Sequence, residues 1–192
     1  LHQQTTDLIP ALGGNRQYGK TANFALIYGA SAKRMASEYS DLSIAGWEDV
    51  IDQFMQTYQG IHLWHLKMQR QLYDRGECRD VFGRKRRISR EMISRNFKHS
   101  LNQFVNFPVQ SSACALIELS MVKLREHWVE SGDWGTKIIP TNFVHDEIVF
   151  ECASDEVDKF IPVVENIMES SVQFRVPIRT DIMVVDRWGD AK

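Results

Sequence analysis

The 192-residue chain holds only three cysteines, Cys78, Cys114 and Cys152, which are far apart and odd in number. That excludes a disulfide scaffold and points to a reducing compartment, which we read as the cytoplasm. No apolar run approaches the roughly 18–20 residues that a membrane span needs, so no membrane partner is expected. The start, Leu1-His2-Gln3-Gln4-Thr5-Thr6-Asp7, has neither a basic nor an apolar signal region, and it lacks an initiator Met. The chain is therefore expected to be a processed or excised piece. Proline is sparse too: five residues, scattered, with no Pro-rich linker and no repeat. The remaining composition is 43% hydrophobic, 25% charged and 10% aromatic, which excludes disordered, collagen-like and low-complexity readings. The length fits one domain or one lobe of a larger one.

A formal net charge of -2 argues against a nucleic-acid partner until it is divided. Residues 1–100 carry 15 Lys and Arg against 10 Asp and Glu, a net of +5, and residues 101–192 carry 8 against 15, a net of -7. One half is basic enough to attract phosphate and the other acidic enough to hold a metal.

Spacing predicts a helix from Arg16 to Tyr28, a second over 46–58 with Val50, Ile51, Phe54 and Tyr58 in helical register, and a third over 61–75. Residues 78–88 read as a hairpin turning at Gly83, and 109–130 as a long helix. Two short strands, 136–142 and 147–152, flank Val144-His145-Asp146. A helix over 155–171 and an alternating strand over 179–186 close the chain. Helices first, then a small sheet with helices, predict an α+β fold.

Gly14-Asn15-Arg16-Gln17-Tyr18-Gly19-Lys20-Thr21 matches a phosphate-binding P-loop letter for letter. A P-loop requires a buried strand just before it, and Pro10 breaks any strand there. A P-loop NTPase is therefore the third reading. Arg16, Lys20, Phe24 and Tyr28 recur every four residues and so wind down one stripe of a helix. Cations at the N-terminal end and rings at the C-terminal end suit a triphosphate and a flat base or sugar. The same spacing also describes an amphipathic helix with two solvated cations and a core aromatic pair. His62 and His65 could share a metal, but with no third ligand nearby they read as a solvated helix face. Trp47, Trp64, Trp128 and Trp134 read as packing residues, and the cysteines as buried small hydrophobes.

The blocks together carry a resemblance. Arg16-x3-Lys20-x3-Phe24-x3-Tyr28-Gly29 resembles motif B of family A DNA polymerases, and Phe143-Val144-His145-Asp146-Glu147-Ile148-Val149-Phe150-Glu151 resembles motif C. Val105-Asn106-Phe107-Pro108-Val109-Gln110 is similar to the segment entering the family's long palm helix. Phe82-Gly83-Arg84-Lys85-Arg86-Arg87 is similar to its basic hairpin, and Trp188-Gly189-Asp190-Ala191 to its C-terminus.

The resemblance implies fingers helices over 1–96 and the C-terminal part of a palm over 97–192, an antiparallel sheet with packed helices. It implies template-directed nucleotidyl transfer with Mg²⁺, deoxynucleoside triphosphates and primer–template DNA. On it, Arg16 and Lys20 hold the nucleotide's phosphates, with Lys20 also catalytic. Phe24 packs on the sugar and implies discrimination against dideoxynucleotides. Tyr28 stands at the templating base, and His2 near the triphosphate. Asp146 is the metal ligand, with Glu147 beside it as a supporting catalytic residue. Asn106, Gln110 and His145 contact the minor groove, where contacts sense pair geometry rather than sequence. Arg84, Arg86 and Arg87 bind backbone, in a stretch (84–98) with seven Lys and Arg and one acid, Glu91. The second reading is a non-catalytic nucleic-acid-binding module.

Three departures matter. The family's Asp-Tyr-Ser-x-x-Glu segment, motif A, is absent from the sequence, so activity is expected only with an N-terminal polymerase portion that carries it. Asn102 stands where the family usually has an Arg. Gly19 lies mid-helix, at a cost near 1 kcal/mol against Ala, which is expected to loosen the helix start.

Overall fold

A computed structural model describes residues 2–191. The fold is α+β, and it divides into two compact units, Leu1–Val109 and Gln110–Lys192.

The first unit is built from helices whose starts are written in the sequence. After α1 (His2–Leu8) and a 3₁₀ turn at Pro10–Leu12 come α2 (Arg16–Ile27), α3 (Ala32–Glu38), α4 (Ile44–Thr57) and α5 (Gln59–Arg75). Asn15, Ser31 and Ser43 cap α2, α3 and α4 by accepting from Gln17, Arg34 and Gly46 backbone N–H groups. The apolar faces they present close one core around Ile9, Leu26, Met35, Trp47, Val50 and Phe54.

Beyond α5 the hairpin β1 (Glu77–Arg79) and β2 (Lys85–Arg87) pairs Cys78 with Arg86. Its turn is knitted by buried Asp80, whose carboxylate accepts from the Phe82 and Arg84 amides and from Arg84 Nε. A short α6 (Arg90–Arg95) and the start of α7 (Phe97–Ser131) enclose a second core of Met68, Leu72, Cys78, Ile88 and Phe104.

α7 starts twelve residues before the predicted 109 and runs straight through Pro108. Proline has no N–H to give the carbonyl four residues back, here that of Phe104. That carbonyl accepts instead from the Cys78 thiol at 3.8 Å, and Asn96 caps the early start by accepting from His99 N–H.

The second unit holds the rest of α7, an antiparallel pair β3 (Ile138–Val144) and β4 (Glu147–Cys152), and α8 (Val157–Ser170). Its core is small: Leu124, Trp128, Ile138 and Phe160, with Trp134 and Phe150 around the Trp128 ring.

The segment 179–186 is not a strand. Alternation specifies a strand only where one face is covered. Here Met183 and Val184, on opposite phases of the alternation, are 58% and 59% exposed. The Thr180 amide is taken by Glu169 rather than by a sheet edge. Nor are the cysteines alike: Cys78 is buried, whereas Cys114 and Cys152 are half-buried. Among the described residues no helix is long and apolar enough to cross a membrane.

Candidate functional site

α2 decides between the readings of its own sequence. A 3₁₀ turn precedes it, not a strand, and Gly19, Lys20 and Thr21 lie inside the helix. The Gly19 N–H already donates to Asn15 O and the Gln17 N–H to the Asn15 side chain, so these backbone donors are turned into the helix rather than toward a phosphate. The P-loop reading is thereby overturned. So is the solvated helix with a core aromatic pair: Phe24 is 56% exposed and Tyr28 half-buried, while Ala22 and Leu26 face the core.

Lys20, Phe24 and Tyr28 line one open groove of about 430 Å³, joined by Asn102 and Asn106 of α7 and by Arg34 and Tyr39. Arg16 is exposed one turn earlier on α2 and is not part of the lining. Charge therefore lies toward the start of the helix and aromatic surface toward its end. The Asn106 side-chain oxygen is buried without a hydrogen-bond partner in the described structure, which leaves an acceptor unmet in the groove wall.

His2 sits against Phe24, ring centroids 5.7 Å apart, with Nδ1 3.1 Å from the Asn23 amide nitrogen. Burial, and then the charges of Arg16 and Lys20, hold its imidazole below the usual range. It is neutral near pH 7 and adds polar contact rather than charge to this end.

Gly19 explains itself in the same place. A Cβ there would collide with the His2 carbonyl oxygen and stand 2.6 Å from Thr6 Cγ2. The missing side chain lets α1 press on α2 rather than loosening the helix start, contrary to expectation.

The basic hairpin is less free than its sequence implies. Arg84 Nε pairs with Asp80 at 2.7 Å and Arg87 Nε with Glu77 at 2.8 Å, while Arg86 donates to Gln103 at 2.6 Å. Glu77 also draws in Arg79 and Lys85, and the hydrogen bond from Arg87 leads in holding its carboxyl below the ordinary range. Lys85 and Arg87 remain exposed.

In the second unit, β3 and β4 turn through His145 and Asp146, with Val144 paired to Glu147. His145 adopts φ 55°, alone among the described non-glycine residues in being left-handed. This conformation is uncommon for a residue with a Cβ and is the kind that a tight two-residue hairpin turn requires. His145, Asp146 and Glu147 are exposed at the tip, and Trp188 Nε1 donates to Glu147 at 3.0 Å. Asp146 offers hard oxygen donors of the kind Mg²⁺ prefers. Among the described residues, however, no group of three His, Cys, Asp or Glu stands close enough to enclose a metal. The donor set fits one side of such a site. Gln110 is exposed on α7 at the start of this unit.

Sequence reasoning missed three residues. Arg34 lines the groove while paired to Glu38 at 2.8 Å, and its i, i+4 spacing reads only as a surface pair. Asn23 is buried mid-helix, bonded to Thr5 and His2; a polar residue on the apolar face of α2 was the available signal. His65 is half-buried and bonded to Ile27 O, not solvated.

Known proteins resemble this chain in sequence and in fold. A family model described as DNA polymerase family A matches residues 3–190. DNA polymerase I of Rhizobium leguminosarum is 30% identical over 186 residues, covering 93% of this chain and 18% of that protein. DNA polymerase I of Aquifex aeolicus (strain VF5) is 26% identical over 183 residues, covering 90% and 30%. Among solved structures, the POL domain of Pol1 from M. smegmatis, in complex with DNA primer-template and dNTP, shares the fold with a TM-score of 0.79 at 21% identity. That match covers 92% of this chain and 32% of the other. The chain thus spans less than a third of the length of each of these proteins.

Proposed function

The chain belongs to DNA polymerase family A, and from that premise we propose that it supplies the nucleotide-holding helices and one metal-binding carboxylate of a DNA-directed DNA polymerase. Residues 1–96 serve as fingers and 97–192 as the C-terminal part of the palm. The observation that carries this reading is the groove along α2, with Lys20 toward one end, Phe24 and Tyr28 toward the other, and the unmet Asn106 acceptor in its wall.

Arg16 and Lys20 hold the triphosphate, where fixed cations offset charge that grows as the α-phosphate is attacked. Phe24 packs on the sugar, Tyr28 borders the templating base, and neutral His2 orients the phosphates. Asn106, Gln110 and His145 rest in the minor groove of the primer–template. Lys85 and Arg87, exposed on the hairpin, add backbone contacts with Arg84 and Arg86. Asp146 would hold Mg²⁺, with Glu147 fixed beside it by Trp188; when bound, the ion supplies charge neutralisation at the reacting phosphate.

One carboxylate site does not make a two-metal centre. The reading therefore includes an N-terminal polymerase portion carrying the Asp-Tyr-Ser-x-x-Glu segment. The two-stranded sheet and the uncovered apolar side chains of 179–186 support the need for further polypeptide against the second unit.

The test is primer extension with Mg²⁺ and deoxynucleoside triphosphates, by this chain alone and after mixing with a polypeptide bearing that segment. We expect extension only from the mixture. Extension by the purified chain alone would remove the two-part reading, and DNA binding without extension by the mixture would leave the non-catalytic module.

A further inference from the structure

The carbonyls at the end of a helix have no partners within it. At the end of α2 one of them, and the carbonyl of Gly29 just past the cap, are met from outside. His65 of α5 brings Nε2 to 2.8 Å from Ile27 O. Asn102 of α7, with its amide turned to suit its neighbours, donates to Gly29 O and Lys98 O at 3.3 Å each. Between the two held carbonyls lies Tyr28, in the wall of the groove. Gly29 is left-handed at φ 78°, and a Cβ on it would stand 3.0 Å from the Asn102 amide, so this end of α2 is closely seated.

We infer that His65 is a positioning residue for the groove, fixing the end of α2 and with it the place of Tyr28. The inference rests on the proposed reading of the groove as a nucleotide site. A carbonyl only accepts, so Nε2 carries the proton, which fixes the tautomer. His65 is half-buried beside the Trp64 ring, ring centroids 5.9 Å apart, which limits the access of water to the bond. With Nε2 absent, Ile27 O becomes an unmet, partly buried acceptor, and the last turn of α2 gives way to satisfy it.

Glutamine carries its amide nitrogen at the side-chain position where histidine carries Nε2, and asparagine at that of Nδ1. In the mixture that extends primers, His65→Leu and His65→Asn should raise the nucleotide KM about tenfold, as loss of one such bond implies. His65→Gln should stay within about twofold, and kcat should change little in all three. Wild-type KM in His65→Leu, or His65→Gln as impaired as His65→Leu, would overturn the inference.

A second readout is independent of activity. In the isolated chain, hydrogen exchange at the Gly29 and Ala30 amides, bonded to Leu26 O and Ala25 O, should quicken about tenfold in His65→Leu and His65→Asn but not in His65→Gln. Equal exchange in all variants would overturn the positioning role. Should the wild-type mixture fail to extend primers, the nucleotide reading falls, while exchange still decides whether His65 holds the helix. If His65→Leu does not fold, the Gln and Asn pair carries both readouts.

Discussion

The two units spend their charge differently. Leu1–Val109 gathers Lys20, Phe24 and Tyr28 into one groove, walled by α2 and by the start of α7, and packs α2 on a core of nine buried residues. Gln110–Lys192 puts Asp146 and Glu147 at an exposed hairpin tip over a core of four, and among the described residues no set of three ligands closes around them. A groove that holds phosphates, sugar and base by many weak contacts can be assembled within one lobe. A site for a small, hard cation needs several carboxylates at one point, and these repel one another until the ion is bound. On the proposed reading, a nucleotide groove is preformed within the first unit, whereas a metal site at the hairpin tip of the second would need donors from a further polypeptide.

The largest expected effect breaks the comparison at its acidic end. In the assembled polymerase, Asp146→Ala should lower kcat on the order of a thousandfold, the several kcal/mol that a catalytic metal contributes. Primer–template binding, measured by a gel shift, should be unchanged. If extension survives, the exposed tip is only a turn.

Next comes Gly19→Ala. Helix propensity alone predicts a gain of about 1 kcal/mol. The collision with the His2 carbonyl and Thr6 predicts the opposite, since overpacking typically costs about 1–3 kcal/mol. We expect the urea midpoint of the first unit to fall, with amide exchange in the second unit unaltered. A stabilised variant would mean that α1 does not press on α2.

Much of this was legible in the sequence, and the parts that were not share a cause. The stripe Arg16, Lys20, Phe24 and Tyr28, the hairpin at Gly83 and the turn at His145-Asp146 all lie where local spacing put them, because each is set by residues within one or two turns of one another. The start of α7 was missed because Pro108 reads as a boundary, and the carbonyl it leaves without its N–H accepts from a thiol far back in the chain, that of Cys78. The segment 179–186 alternates like a strand but finds no face to cover within its own unit. The free cations of 84–98 were overcounted, since Glu77 and Asp80 lie just before that window and pair back into it. Arg34 and His65 reach the groove and its helix through tertiary contacts that no periodicity announces.

A smaller effect separates the units by acid. Hydrogen bonds from Ser131 and then Lys137 lead in holding Asp133 below the usual carboxylate range, as the bond from Arg87 does for Glu77. Both pKa values are depressed in the folded state. Each therefore contributes stability that is present above the unfolded value near 4 and lost as pH falls through the folded one. Amide exchange followed from pH 5 downward should show Asp133→Asn flattening the decline in the second unit only, and Glu77→Gln in the first only. A shared response would mean that the units do not lose stability separately.

The smallest effect concerns Cys78, the thiol that lets α7 pass through a proline. Burial pushes its pKa up to about 11, so near pH 8 thiolate is scarce and the S–H remains on Phe104 O. Cys78→Ala should cost about 1 kcal/mol through the orphaned carbonyl. Iodoacetamide should label Cys114 well before Cys78, whose labelling should wait on opening of the first unit and rise with urea. Because the folded pKa is raised, the first unit should also lose stability as pH climbs from the free-thiol range near 9 toward about 11, and Cys78→Ala should remove that dependence. Labelling of Cys78 as fast as Cys114 in native buffer would show that the proline is tolerated by some other means, and that the early part of α7 owes nothing to the hairpin beneath it.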